Sequence, residues 1–242
     1  MSESDIVFKK TYKCPICDSS FKNLTVKQGK VRPEGTDLDL KPKYKNIEPL
    51  KYDVLLCPMC GYASLERYFL RVSQKQKEDI YNKICNIFNS RFEDKDELTF
   101  EDAVIRYKFA IITCQTKMAK ESETGFVCLK FGWLYRSYKE SVSEDDENLY
   151  AQLSEREKFF LEKAYACLLK ARETEHGEIC GMDEITFDCL LAGLSVELEK
   201  FDDSKRLISG ILTSRVASKR AKDRARDLKD FLENIEKNDE EE

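Results

Sequence analysis

The chain has 242 residues, 41% of them hydrophobic and 11% aromatic, with a formal net charge of −5. That length holds one large domain or two smaller ones with a real core. The negative balance disfavours nucleic-acid binding by the molecule as a whole, and the 36% of charged residues suits long solvated helices more than a compact barrel.

No apolar run approaches the roughly 20 residues that span a bilayer. The acidic opening, residues 1–6, lacks the basic and apolar regions of a signal peptide. We therefore expect a cytoplasmic protein without membrane contact. Ten cysteines in a reducing compartment must then be metal ligands, reactive thiols or small buried apolar side chains rather than disulfides.

All five prolines (Pro15, Pro33, Pro42, Pro49 and Pro58) fall within residues 1–72. This composition change divides the chain into a small β-rich module, 1–72, a helical domain, 73–237, and an acidic frayed tail, 238–242. Residues 21–26 and 52–57 read as strands, the second carrying Val54, Leu55 and Leu56. Between them, residues 29–49 form a loop too long to be structureless. It should fold around the metal site described below or pack on the helices.

The proline-free remainder predicts helices over 74–89, 99–118, 123–140, 148–174, 183–199, 203–213 and 217–236. In the second, Ala103, Tyr107, Ala110, Cys114 and Met118 share one face, and Val104, Ile105, Phe109 and Ile112 make another. Phe126, Val127, Leu129, Phe131, Trp133, Leu134, Tyr135 and Tyr138 surround the third almost completely, which makes it central. The last helix carries one seam: Ala217, Ala221, Ala225, Leu228, Leu232 and Ile235.

Two helix pairs resemble tetratricopeptide repeats, in which small residues let paired helices approach. Leu191, Ala192 and Ser195 precede Phe201, Ser204, Ile208 and Ile211 at matching spacing. An earlier pair uses Phe131, Gly132 and Tyr135 with Ala164, Leu168 and Ala171, interrupted by the acidic stretch 143–148. The fold class expected is mainly α: a zinc-ribbon-like N-terminal module followed by an antiparallel, tetratricopeptide-like array. An irregular bundle with small residues at its crossings is the plainer alternative.

Cys14-Pro15-Ile16-Cys17 and Cys57-Pro58-Met59-Cys60-Gly61 are two C-P-x-C knuckles. Two intervening residues let both thiolates of a knuckle reach one ion, and a tight turn aims backbone N–H groups at the sulfurs. Gly61 supports that turn through its tolerance of positive φ, and Asp18 takes the same place in the first knuckle. Four thiolates are the tetrahedral set of a closed structural zinc site. The 39 residues between Cys17 and Cys57 exceed the roughly 15–20 of compact ribbons. Iron is an alternative ion, as in proteins resembling rubredoxins, and dithiol redox chemistry a minor one.

Cys85, Cys114, Cys128, Cys167, Cys180 and Cys189 lack a partner at pair spacing and read as buried small hydrophobes. The sole histidine, His176, precedes Gly177 near a helix end and reads as a surface cap rather than as a base for Cys180. Neither a phosphate-binding loop nor a dinucleotide fingerprint occurs. The acidic runs 144–147 and 240–242 read as solvated. Residues 1–72 hold 13 Lys and Arg against 9 Asp and Glu, a surplus reduced by the two negative charges of a zinc tetrathiolate. Lys41, Lys43, Tyr44 and Lys45 form a basic patch with an aromatic, as single-strand binders use. The run Arg215, Lys219, Arg220, Lys222, Arg224 and Arg226 reads as the wet face of the terminal helix.

The residues from Tyr12 to Cys17, then Asp37, Asp39, Tyr44, Asn46 and Pro49, then Tyr52, Asp53, Val54 and the stretch from Cys57 to Ala63 together resemble the bacterial domain-of-unknown-function family 2225. The resemblance implies a bacterial cytosolic protein with a metal-knuckle module and repeat-like helices, and it carries no assigned activity. Asp37, Asp39, Tyr44 and Tyr52 crowd into the inter-knuckle segment. They should order it over the metal or onto the first helices, a solvated turn being the alternative.

The leading functional expectation is a non-enzymatic scaffold that binds a protein or peptide partner along its helices. A nucleic-acid or nucleoprotein binder using the basic knuckle region is the second, and an enzyme with a polar pocket between the modules the third.

Overall fold

A computed structural model describes residues 3–90, 92–143 and 146–240. Part of the acidic run 144–147 and the last two residues of the tail lie outside the described residues.

The N-terminal part is built from antiparallel hairpins. After a short helix α1 (Glu3–Ile6), β1 (Val7–Lys13) pairs with β2 (Ser20–Val26), Val7 facing Val26 and Lys13 facing Ser20. β3 (Gly35–Thr36) pairs with β4 (Pro42–Lys43), and β5 (Val54–Leu56) with β6 (Ala63–Leu65). The expected strands at 21–26 and 52–57 are present, though residues 49–52 form a tight helical turn that shortens the second. Each cysteine pair is the tip of a hairpin, one between β1 and β2 and the other between β5 and β6.

The helices follow: α2 (Glu66–Phe69), α3 (Gln74–Lys83), α4 (Phe100–Thr116), α5 (Glu121–Ser141), α6 (Glu147–Thr174), α7 (Glu184–Glu197), α8 (Phe201–Thr213) and α9 (Lys219–Glu240). Local chemistry sets their starts. Ser73 with Gln76, and Thr99 with Asp102, make reciprocal capping boxes for α3 and α4. Asp183 caps α7 by accepting from the Thr186 N–H at 2.8 Å. The predicted helix over 74–89 stops at Lys83 and gives way to a turn at Cys85–Ile87. The α9 backbone stays helical to Glu240, past the point where fraying is expected. Among the described residues no helix is long and apolar enough to cross a membrane.

Small residues set the helix crossings. A Cβ on Gly125 would meet Leu168 at 2.8 Å, and one on Gly132 would meet Leu161 at 2.6 Å. Arg136 further along α5 bonds Glu157, so the partner index on α6 falls as that on α5 rises and the pair is antiparallel. α7 and α8, joined by three residues, pack in the same way, with Ser204 Oγ donating to the Ala192 carbonyl at 3.1 Å. α5 and α6 have 21 and 28 residues while α7 and α8 have 14 and 13, so helix length sets no common repeat.

α5 is central, as its composition predicts: Val127, Leu129, Phe131 and Leu134 are fully buried. Tyr107 of α4 stacks on Phe131 with ring centroids 5.1 Å apart. The main core does not stop at residue 72. Val54, Leu56, Ala63 and Leu65 belong to one apolar cluster with residues of α4 to α9.

Candidate metal centre

The two knuckles repeat one backbone pattern. The Asp18 N–H donates to the Cys14 carbonyl at 3.1 Å, and the Gly61 N–H to that of Cys57 at 3.0 Å. The Cys14 N–H donates to the Ser19 carbonyl and the Cys57 N–H to that of Tyr62. The fourth residue after each leading cysteine is left-handed, with φ 58° at Asp18 and 75° at Gly61. Aspartate tolerates that region and glycine enters it freely. Gly61 is further constrained because a Cβ would meet the Phe88 ring at 2.4 Å.

These turns aim four sulfurs at one point. Cys14 Sγ lies 3.6 Å from Cys60 Sγ, and Cys17 Sγ 3.7 Å from Cys57 Sγ. All four donor atoms lie within 4.8 Å of one another. Ligands about 2.3 Å from a central ion at tetrahedral angles stand about 3.8 Å apart, so the set fits a four-coordinate thiolate site. Zinc and iron both accept such a set. Cys14 and Cys57 are fully buried, Cys60 is 4% exposed and Cys17 is half-buried.

The electrostatics of the bare thiols point the same way. Hydrogen bonds from Cys14 and then Cys60 pull the Cys57 thiol down. Cys57 in turn pushes Cys14 up, and Cys14 raises Cys60. One sulfur ionises at the expense of its neighbours, a conflict that a divalent cation removes. Around the sulfurs stand Phe21, Tyr62 and Phe69, with Tyr62 OH donating to the Phe69 carbonyl at 2.8 Å.

The inter-knuckle segment is clamped onto the helices. β3 and β4 form a hairpin whose tip, 37–41, enters the helical core. Asp39 is fully buried. It accepts from Trp133 Nε1 at 2.7 Å and pairs with Arg136 at 3.1 Å. Arg136 also reaches Asp37, Glu157 of α6 and Glu197 of α7. Burial alone would lower the Arg136 pKa, but Asp39, Glu197 and Glu157 outweigh it and raise it. Arg224 of α9 donates to Thr36 Oγ1 at 3.0 Å and to the Asp37 carbonyl at 2.5 Å. Gly193 of α7 leaves room for the Leu38 carbonyl, which a Cβ would meet at 1.9 Å.

Asp37 and Asp39 thus seat the segment on α5, α7 and α9 rather than on the first helices. Tyr52 serves a separate contact, donating to Glu3 at 2.6 Å and accepting from the Leu98 N–H at 3.2 Å. Tyr44 joins neither group and lines a surface cleft with Asn46 and Ile47. Of the expected basic patch, Lys41 is buried 3.9 Å from Glu48, while Lys43, which pairs with Asp37 at 2.6 Å, and Lys45 are exposed. His176 is exposed, and Cys180 Sγ donates to the Ser122 carbonyl at 3.3 Å. Cys114, Cys128, Cys180 and Cys189 are buried as expected, whereas Cys85 and Cys167 are half-buried. Arg136 and Cys85 carried no signal in the sequence, being single charged and thiol residues within helical stretches.

A family model described as an uncharacterized protein conserved in bacteria, DUF2225, matches residues 7–232. The chain belongs to that family. The match spans both knuckles and every helix from α2 to α8 of this DUF2225 chain. An uncharacterized protein of Borreliella burgdorferi is 27% identical over 119 residues, covering 43% of this chain and 43% of that protein. No solved structure matches the chain.

Proposed function

We propose that this DUF2225 protein is a non-enzymatic scaffold whose N-terminal hairpins are held by a structural zinc ion and whose helices receive a protein or peptide partner. Cys14, Cys17, Cys57 and Cys60 would hold the ion, which supplies cross-linking rather than chemistry in a closed tetrathiolate site. The buried clamp around Asp39 and Arg136 joins that module to the helices as one body. The close Ala192–Ser204 crossing supports reading the α7 and α8 pair as repeat-like.

The observation that carries the reading is an apolar groove between α8 and α9. It has a volume of about 390 Å³ and is lined by Ile208, Leu212 and Leu232, with Lys229 and Glu233 on its rim. Such a groove accepts apolar side chains of a peptide, with charges on the rim fixing orientation. Selection of peptides from a displayed library on the full chain tests this. Enriched peptides should lose about tenfold or more in affinity to Leu212→Lys. Enrichment of no peptide, or equal binding to the variant, would count against the reading.

A second reading is a nucleic-acid binder. It draws on the exposed Arg215, in the connection between α8 and α9, and on Lys219 and Arg220, exposed at the start of α9. Single-stranded RNA or DNA would then shift the protein in a salt-dependent way, and replacing the three by Ser would abolish the shift.

A further inference from the structure

A fifth thiol packs against the four at the hairpin tips. Cys85 opens the turn that follows α3 and packs against the cluster containing Cys14, Cys57, Cys60, Tyr62 and Phe69. That packing places the Cys85 side chain beside the buried Cys57 and Cys60 knuckle. Neighbours on both sides hold it there. Ile84 is buried within the same cluster, and the Phe88 ring lies flush against Gly61 of the second knuckle. Cys85 nevertheless stands outside the set of four converging donor atoms, and it is half-buried rather than sealed.

We infer that Cys85 is the resolving thiol of an oxidant-sensitive metal centre, with a hydroperoxide as oxidant and Cys60 as the thiolate that is oxidised. The inference rests on the metal reading above. Metal ligation keeps a cysteine ionised, and the thiolate is the nucleophilic form. Cys17 is the more exposed ligand, but Cys60 is the one beside Gly61, against which the Phe88 ring packs three residues after Cys85. The Cys60 sulfur attacks the peroxide: an S–O bond forms, the O–O bond breaks, hydroxide leaves, and the sulfur becomes a sulfenic acid by two-electron oxidation. Cys85 then attacks that sulfur. An S–S bond forms, the S–O bond breaks, and the Cys85 proton departs with the hydroxyl as water.

With an ion bound, the other ligand thiolates would be engaged with it, whereas Cys85 would be free and adjacent. The Cys60–Cys85 disulfide leaves three ligands at the site. Hydroperoxide would then be read out as metal loss and loosening of the two hairpin tips, reversed by reduction.

The test uses the full chain, its zinc counted before hydrogen peroxide is added. Disulfides are mapped by non-reducing peptide mass spectrometry, and zinc rebinding is measured after dithiothreitol. Wild type and the control Cys167→Ser should show a Cys60–Cys85 disulfide and recover most of their zinc. Cys85→Ser should carry sulfinic acid at Cys60 and recover about fivefold less. Disulfides only among Cys14, Cys17, Cys57 and Cys60, or equal recovery by Cys85→Ser, would overturn the proposal. A chain isolated without metal would overturn the metal reading instead, while the disulfide map would still decide whether Cys85 pairs with Cys60.

Discussion

Trp133 Nε1 donates to Asp39 Oδ2 at 2.7 Å, joining residues 94 positions apart. Through that bond and the Arg136 pairs beside it, a segment that begins and ends at the cysteine knuckles is anchored in the helical core. The hairpin tip reaches helices that follow it by about a hundred positions or more, so folding of the two parts is coupled.

Asp39→Ala should therefore be strongly destabilising. Removing one partner of a buried charge pair leaves the other uncompensated, at a cost of about 3–5 kcal/mol. Asp39→Asn keeps an acceptor for the indole and should cost less. Urea denaturation of the two variants checks the order, and equal, small effects would contradict it.

Gly193→Ala tests the close approach of the hairpin tip. The added Cβ would meet the Leu38 carbonyl, a backbone atom with little freedom to yield. Overpacking of this kind costs about 1–3 kcal/mol, although alanine favours a helix over glycine. A thermal melt showing no loss of stability would mean that the tip is not seated on α7.

Glu48 should leave a signature in pH. Its carboxyl is raised above the usual range by burial, against hydrogen bonds from Ser137 and the Leu50 N–H. A carboxyl with a raised folded pKa adds stability below its unfolded value, and that contribution is lost as pH rises through the folded one. The stability of wild type minus that of Glu48→Gln should therefore grow as pH falls from about 7.5 to 5. A difference that shrinks over that window would contradict the assignment.

The knuckles and the helices were legible because their signals are local. Cysteine spacing places two thiolates on one turn, and the hydrophobic periodicity marks six of the seven main helices to within a few residues, overrunning α3 by six. The clamp was only half legible. Asp37 and Asp39 stood out as acidic residues in a long loop, but nothing near them in sequence names Trp133, Arg136 or Arg224 as partners. Lys41 and Lys43 read as a basic patch because their neutralising partners, Glu48 and Asp37, act through folding back of the β3–β4 hairpin. Cys85 was invisible for the same reason, since its approach to Cys60 depends on where α3 ends. Small residues at crossings suggested repeats, while the unequal helix lengths come from the extended α5 and α6 pair.

The most direct test of the account is metal analysis with X-ray absorption at the zinc edge on the full chain isolated from its native host. One zinc per chain with four sulfur ligands at about 2.3 Å is the predicted result, and it should be lost in Cys57→Ser. Iron in its place, oxygen or nitrogen ligands, or a stably folded N-terminal module without metal would contradict it.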